Sequence, residues 1–149
     1  MDKNHLHIKI ISAQETYPVR HPILRAGRPL EDCHFEGDDL DSTFHIGLFD
    51  KEKLVGVASF FKNTNTKFDT ANQYQLRGMA ILSSYQGKGL GKLILQYGEN
   101  ELKTLNTILL WCNARERAVT FYEKQNYKKT GEPFDIKGIG THFLMYKKL

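Results

Sequence analysis

The sequence predicts an α/β protein in which a mixed sheet of about six or seven strands has helices on both faces. The first observation is the order of the patterned segments: strand-like runs, then a strand–helix–strand–helix stretch, then two closing strands. The second is the length of 149 residues, which is enough for one domain and too short for two. We therefore expect residues 1–149 to form a single domain.

The N-terminal part reads as a strand followed by a helix. His5–Ile11 alternates polar and apolar residues, as a half-buried strand does. Ser12 and Glu15 have the spacing of a capping box, which predicts a helix over about Ala13–Arg25. Pro22 is expected to kink that helix, because proline lacks the N–H that the helix needs.

The remaining segments alternate between the two periodicities. After a turn-rich stretch, two strand-like runs separated by four polar residues predict a hairpin. Further along, helical spacing alternates with short apolar runs, and a glycine-rich loop separates the last two strands. The predicted strands are Phe44–Phe49, Leu54–Phe61, Gln73–Leu82, Thr107–Cys112, Tyr127–Thr130 and His142–Lys147, the helices are Gly91–Thr104 and Ala118–Gln125, and the loop is Asp135–Gly140.

The most informative segment is Leu82–Lys92, LSSYQGKGLGK, in which a strand breaks into a glycine-rich turn that opens a helix. Glycines let a ligand approach the backbone, and the unpaired N–H groups of a helix start attract phosphate. The spacing does not match a nucleotide P-loop, because only three residues separate Gly87 from Gly91 and Leu93 stands where Ser or Thr is needed. It matches a dinucleotide fingerprint poorly, because Lys92 occupies a glycine position.

Two motifs resemble those of the GNAT N-acetyltransferase superfamily. The run Gln86-x-x-Gly89-x-Gly91 is similar to the family's acyl-CoA pyrophosphate loop. The later run from Asn113 through Ala118-x-x-x-Tyr122 is similar to its second motif, although Asn126-Tyr127 stands where Gly-Phe is usual. Looser similarity in Leu24–Pro29 and Cys33–Asp39 points to an uncharacterised bacterial branch.

The resemblance implies a mostly antiparallel GNAT-like sheet and an acyl-CoA-dependent N-acyltransferase. The co-substrate would be acetyl-CoA, and the acceptor a primary amine of a small molecule, peptide or protein that attacks the thioester directly. An alternative of another class is a non-catalytic acyl-CoA sensor or interaction module. Arg77 prompts that alternative, because many relatives have a glutamate at this position.

The resemblance also implies roles for individual residues. Tyr122 would protonate the departing thiolate, since a phenol is protonated at neutral pH. The backbone N–H near Ile81 would hydrogen-bond the oxyanion. With glutamate missing, the base stays open between His142, Glu31, Asp32, His34 and ordered water, and we favour His142 or water. The residues expected to bind acetyl-CoA are Met79, Ala80, Ile81, Gln86, Gly87, Lys88, Gly89, Leu90, Gly91, Lys92, Asn113 and Tyr122.

The composition of the chain indicates which classes of partner we expect it to bind. The net charge of +4 comes from basic residues scattered among acids, which does not indicate a nucleic-acid surface. No apolar segment is long enough to cross a membrane, so we expect a cytoplasmic protein. Cys33 and Cys112 are expected to be reduced thiols, and no metal site is expected from the histidine pattern. Arg25 and Arg28 could either bind an anionic substrate or be solvated, and a homodimer is possible.

Overall fold

The computed structural model describes residues 3–149 and contains a seven-stranded sheet in the order β1-β2-β3-β4-β5-β7-β6. All neighbouring strands are antiparallel except β4 and β5, which are parallel. The elements are β1 Leu6–Ile11, α1 Tyr17–Leu24, β2 Phe44–Asp50, β3 Lys53–Lys62, β4 Gln73–Ile81, α2 Leu90–Thr104, β5 Leu109–Arg115, α3 Val119–Lys124, β6 Lys128–Ile136 and β7 Gly140–Lys148.

Helices cover both faces of the sheet, which confirms the predicted fold class. On one face, Val19 of α1 packs with Val57 and Ala80 of the sheet. On the other face, Leu90 and Ile94 of α2 belong to the main hydrophobic core. We call these the α1 face and the α2 face. Because strand side chains alternate between faces, each strand contributes to both.

The first helix is shorter than predicted. The capping box forms, since the Ser12 N–H donates to Glu15 Oε1 at 2.9 Å and the Glu15 N–H donates to Ser12 Oγ at 3.2 Å. A 3₁₀ turn over Gln14–Thr16 precedes the α-helix, which begins only at Tyr17. Pro18 has no N–H to bond the carbonyl four residues back, so α-type bonding cannot start earlier.

The closing hairpin is longer than predicted. The strands extend to Ile136 and from Gly140, so the loop expected over Asp135–Gly140 is reduced to three residues. The pairing is irregular between Thr130 and Phe134. β6 is an edge strand, where a proline such as Pro133 is tolerated, so the sequence pattern ended the strand too early.

Both cysteines are buried. Cys33 has no exposed surface and Cys112 is 3% exposed. Burial raises the pKa of both thiols, that of Cys112 to about 12. Trp111 is also buried, as expected from the apolar run around it. In the described part of the chain, no helix has the length and apolar character needed to span a membrane.

Candidate active site

A cleft of about 1010 Å³ opens where β4 and β5 separate. The two strands pair only over Gln73–Gln75 and Leu109–Trp111, and each then continues without its neighbour. Residues from α1, the glycine loop, α3 and the β6–β7 hairpin complete the lining. The cleft therefore runs through the sheet and can be reached from both faces.

A bulge in β4 shapes one wall of this cleft. Gly78 and Met79 together oppose Ala58 of β3, so one extra residue is inserted. Gly78 has φ +65°, and a Cβ there would lie 2.7 Å from Cε2 of Phe35. Glycine is therefore required at this position both by the backbone conformation and by the space available.

The backbone N–H of Ile81 points into the cleft. The Leu82 N–H donates to the Val55 carbonyl at 2.9 Å, so this pair belongs to the β3–β4 ladder. Hydrogen-bonded and non-bonded pairs alternate along an antiparallel ladder, so the adjacent Gly56–Ile81 pair is non-bonded. The N–H and C=O groups of Ile81 therefore face away from β3. The Ile81 carbonyl accepts a 2.9 Å hydrogen bond from the Gln86 side chain.

The glycine loop presents free backbone N–H groups at the start of α2. Gly89 is the N-cap with φ +77°, and no side chain caps the helix. The first turn has no acidic residue, and a Cβ at Gly87 or Gly89 would meet nothing within 4 Å. The loop is therefore open to an anion, and the fit to a pyrophosphate is good. Lys88 and Lys92 are exposed beside the loop but do not line the cleft.

Tyr122 lies in the cleft on the α2 face. Its ring packs edge-on against Phe121 and Tyr127, with centroids 5.1 and 5.6 Å away. The hydroxyl makes no hydrogen bond to any residue that the structure describes. Burial, with a smaller contribution from Cys112, raises the pKa of Tyr122 well above its ordinary value. The phenol is therefore protonated and available as a donor.

His142 lies in the cleft on the opposite face. It is 4% exposed, and its ring stacks on Phe134 with centroids 5.9 Å apart. Nδ1 lies 2.8 Å from the Gly140 carbonyl oxygen, which can only accept, so Nδ1 has the proton. In the neutral ring Nε2 then has the lone pair, which is the tautomer a base needs.

The structure separates the other predicted residues into two groups. Met79, Ala80, Leu90, Gly91 and Asn113 line the cleft together with those above. The other candidates for the base, Glu31, Asp32 and His34, lie outside the cleft. Asp32 accepts a 3.0 Å hydrogen bond from Arg28, and Nε2 of His34 lies 3.3 Å from Oδ2 of Asp39.

Sequence analysis missed Phe35 and Arg115 as cleft residues. Phe35 lies in the turn-rich stretch, where no periodicity marked it. β5 ends three residues later than predicted, and Arg115 lies at that end. The change from apolar residues to Asn-Ala-Arg indicated the end of the strand, but the backbone remains extended through Arg115.

The sequence profile described as "Acetyltransferase (GNAT) domain" matches residues 35–149. The chain is also 39% identical over 144 residues to the uncharacterised N-acetyltransferase YitI of Bacillus subtilis strain 168, with 97% of each chain covered. The chain belongs to the GNAT acetyltransferase family. This GNAT protein is an N-acetyltransferase, and the two motifs from which the family was predicted both lie at its cleft.

Solved structures of other GNAT proteins share its fold. An aminoglycoside 6'-N-acetyltransferase in complex with coenzyme A has a TM-score of 0.77 at 14% identity, covering 95% of this chain and 96% of that one. The ribosomal-protein-S18-alanine N-acetyltransferase of Escherichia coli has a TM-score of 0.75 at 16% identity, covering 96% and 93%. A GNAT acetyltransferase of Elizabethkingia anophelis with acetyl-CoA bound has a TM-score of 0.70 at 15% identity, covering 98% and 99%.

Proposed function

We propose that this enzyme transfers the acetyl group of acetyl-CoA to a primary amine by direct attack in the cleft between β4 and β5. The observation that supports this most is the placement of the open glycine loop beside the gap between the strands. The pyrophosphate would lie against the N–H groups of Gly87–Gly91, and the pantetheine arm would follow the unpaired edge of β4. Asn113 would hydrogen-bond that arm from β5.

In the proposed reaction the amine nitrogen forms a bond to the carbonyl carbon, and the carbon–sulfur bond then breaks. The Ile81 N–H would stabilise the oxyanion, because it points into the cleft without a strand partner. The Tyr122 hydroxyl would give its proton to the departing thiolate and be reprotonated from solvent. The amine's proton would pass to Nε2 of His142, directly or through water.

The alternative of a non-catalytic sensor has less support. In a non-catalytic sensor, we would expect the cleft to be blocked on the side from which an acceptor enters. The lining instead continues past the strands to Phe35, Arg77 and His142 on the α1 face. Loss of the family's glutamate at Arg77 is accompanied by a buried imidazole in the same cleft, so a proton acceptor is still present.

Isothermal titration of acetyl-CoA into Gly89→Glu tests the proposed cofactor site. The new carboxylate would lie where the pyrophosphate is expected, so we expect binding to be lost. Gly131→Glu is the matched control: its φ is +73°, a Cβ there also meets nothing within 4 Å, and it lies in β6 outside the cleft. Both variants incur the same backbone strain and charge. Equal affinity of wild type and Gly89→Glu would contradict the proposal.

A further inference from the structure

We propose that the acceptor amine bears an anionic group, a carboxylate or a phosphate, which binds to Arg25, Arg77 and Arg115 on the α1 face of the cleft. We call these three residues the acceptor arginines. All three line the cleft and are partly buried. The inference rests on the proposed function, because it specifies the second substrate of the same site.

One aromatic ring organises two of these side chains. The guanidinium carbon of Arg77 lies 4.9 Å from the centroid of Phe35, and that of Arg25 lies 5.1 Å from the same centroid. Arg77 also lies 5.3 Å from the centroid of Phe61. Stacking on aromatic rings holds a guanidinium without using its N–H donors. The N–H donors of Arg77 therefore remain available to a ligand. Arg25 donates one 2.9 Å hydrogen bond from Nη1 to the Leu24 carbonyl and keeps its other donors.

The acceptor arginines have no acidic partner. Among residues 3–149, none of the three has a carboxylate oxygen within 4.0 Å. The neighbouring Arg20 differs, because Asp38 binds it through two hydrogen bonds of 2.7 and 3.0 Å. Asp38, one of the two acids whose charge acts on Arg77, is thus already paired with Arg20. The three positive charges of the acceptor arginines are therefore available to bind an anionic ligand.

The arginines also affect one another. Burial lowers the pKa of Arg77, and the positive charges of Arg20 and Arg25 lower it further, although the charges of Asp38 and Glu36 act in the opposite direction. Burial likewise lowers the pKa of Arg115, with contributions from Arg117 and Arg25. All remain charged at neutral pH, because a guanidinium does not deprotonate in proteins. Like charges held together without counter-ions are unfavourable, and an anion in the cleft would relieve the repulsion.

The position of the cluster assigns it to the acceptor and not to the cofactor. Tyr74 and Leu76 of β4 belong to the core on the α2 face, so Arg77 lies on the α1 face. Cys112 and Ala114 of β5 also belong to the core on the α2 face, so Arg115 lies on the α1 face. His142 pairs directly with Arg115 across β5 and β7, so the proposed base lies beside the cluster. Tyr122, the proposed acid, lies on the other face.

The chemistry of the cluster defines the substrate class. Guanidinium groups bind carboxylates and phosphates through paired N–H donors, and they repel cations. Ile136 and Ile139, from the β6–β7 hairpin, line the same part of the cleft and suit an apolar portion of the substrate. Amino acids, acidic peptides and phosphorylated amines fit this description, whereas polyamines do not.

The test compares matched amines that differ in the anionic group. Phenylalanine is paired with phenethylamine for the carboxylate, and O-phosphoethanolamine with ethanolamine for the phosphate. Each is titrated into protein saturated with coenzyme A, so binding is measured without turnover. We expect at least one amine with an anionic group to bind about tenfold or more tightly than the partner that lacks it. The two pairs show which anion is preferred.

Two variants then test the residues. Arg77→Met and Arg115→Met should each remove most of that preference without weakening the binding of acetyl-CoA or of the amine that lacks the anionic group. Arg28→Met is the matched control, since Arg28 lies outside the cleft and pairs with Asp32. The inference is wrong if neither anionic amine is preferred, or if Arg77→Met weakens acetyl-CoA itself. If wild type does not bind acetyl-CoA, the proposed function fails, and this inference fails with it.

Discussion

The two ends of the cleft are built differently. At the end where we propose that the cofactor binds, the cofactor end, the groups facing the cleft are mainly backbone: the glycine loop, the N-terminus of α2 and the N–H of Ile81. At the acceptor end they are side chains: the acceptor arginines, Phe35 and His142. The backbone end can be the same in many sequences, whereas the side-chain end depends on which residues a sequence places there.

This difference has consequences for mutation. A site made of backbone tolerates many substitutions and is lost only when something fills it. A site made of side chains depends on each residue and on the residues that support it. Phe35 holds two acceptor arginines and is itself packed on Arg20, whose guanidinium carbon lies 3.9 Å from the ring centroid. The support extends inward to Asp38 and to Ser59, whose hydroxyl accepts a 2.8 Å bond from Arg20.

Breaking the Arg20–Asp38 ion pair beneath Phe35 should have the largest effect on the protein, through its stability. The side chains of Arg20 and Asp38 are fully buried, so Arg20→Met leaves a buried carboxylate without its charged partner, although the Phe35 N–H still donates to it. We expect the free energy of unfolding at pH 7 to fall by about 3–5 kcal/mol, measured by urea denaturation. Arg28→Met removes an exposed pair with Asp32 and should cost less than about 1 kcal/mol. Equal losses in the two variants would contradict the importance of burial.

The acid dependence of unfolding checks the same pair. Burial alone would raise the pKa of Asp38, but hydrogen bonds from Arg20 and Phe35 and the charge of Arg20 outweigh it, and the pKa lies below its usual value. A lowered folded-state pKa contributes stability above the unfolded-state pKa of about 4, and that stability is lost as pH falls through the folded-state value. The difference between wild type and Arg20→Met should therefore shrink in acid.

The next effect is on the chemical step at the cofactor end. Tyr122→Phe removes the proposed acid and leaves the ring in place, so kcat should fall about 100-fold with little change in the Kd for acetyl-CoA. Tyr127→Phe is the control, because its hydroxyl donates to Glu99 at 2.6 Å outside the cleft. That change should lower stability and leave kcat intact. Unchanged turnover in Tyr122→Phe would rule out its acid role.

The smallest effect is expected at the acceptor end. His142→Gln removes the proposed base, but water can still take the amine's proton, so we expect kcat/KM at pH 7 to fall about tenfold. The kcat/KM of the variant should continue to rise with pH as more amine arrives unprotonated, whereas wild type levels off earlier. Parallel pH profiles for the two proteins would show that His142 only supports the hairpin.

The geometry of the glycine loop could be predicted from the sequence far better than that of the α1 face of the cleft. Gly87, Gly89 and Gly91 are close together in sequence, and their effect on a helix start is local. Asn126 after α3 has φ +72°, a left-handed conformation that asparagine adopts readily after the end of a helix, so this feature is likewise local. Local rules of this kind need no knowledge of the tertiary fold.

The acceptor end depends on contacts between residues that are distant in sequence. Arg20 meets Asp38 eighteen positions later and Ser59 thirty-nine positions later. Phe35 reaches Arg77 only because the turn-rich stretch folds back against the β4 bulge. No periodicity encodes such contacts. The sequence signals at this end were Arg77, which stands where the resemblance leads one to expect glutamate, and Arg25, which was one of two arginines considered for an anionic substrate.

The burial of the two cysteines has a practical consequence for enzymology. A disulfide indicator reacts with thiolates, and burial keeps both protein thiols protonated and inaccessible to the reagent. The thiol that accumulates when acetyl-CoA is consumed can then be followed continuously by colour, with little background from the folded enzyme. A slow increase in reactive thiol without added amine would report unfolding, so one absorbance trace can monitor both turnover and integrity of the sample.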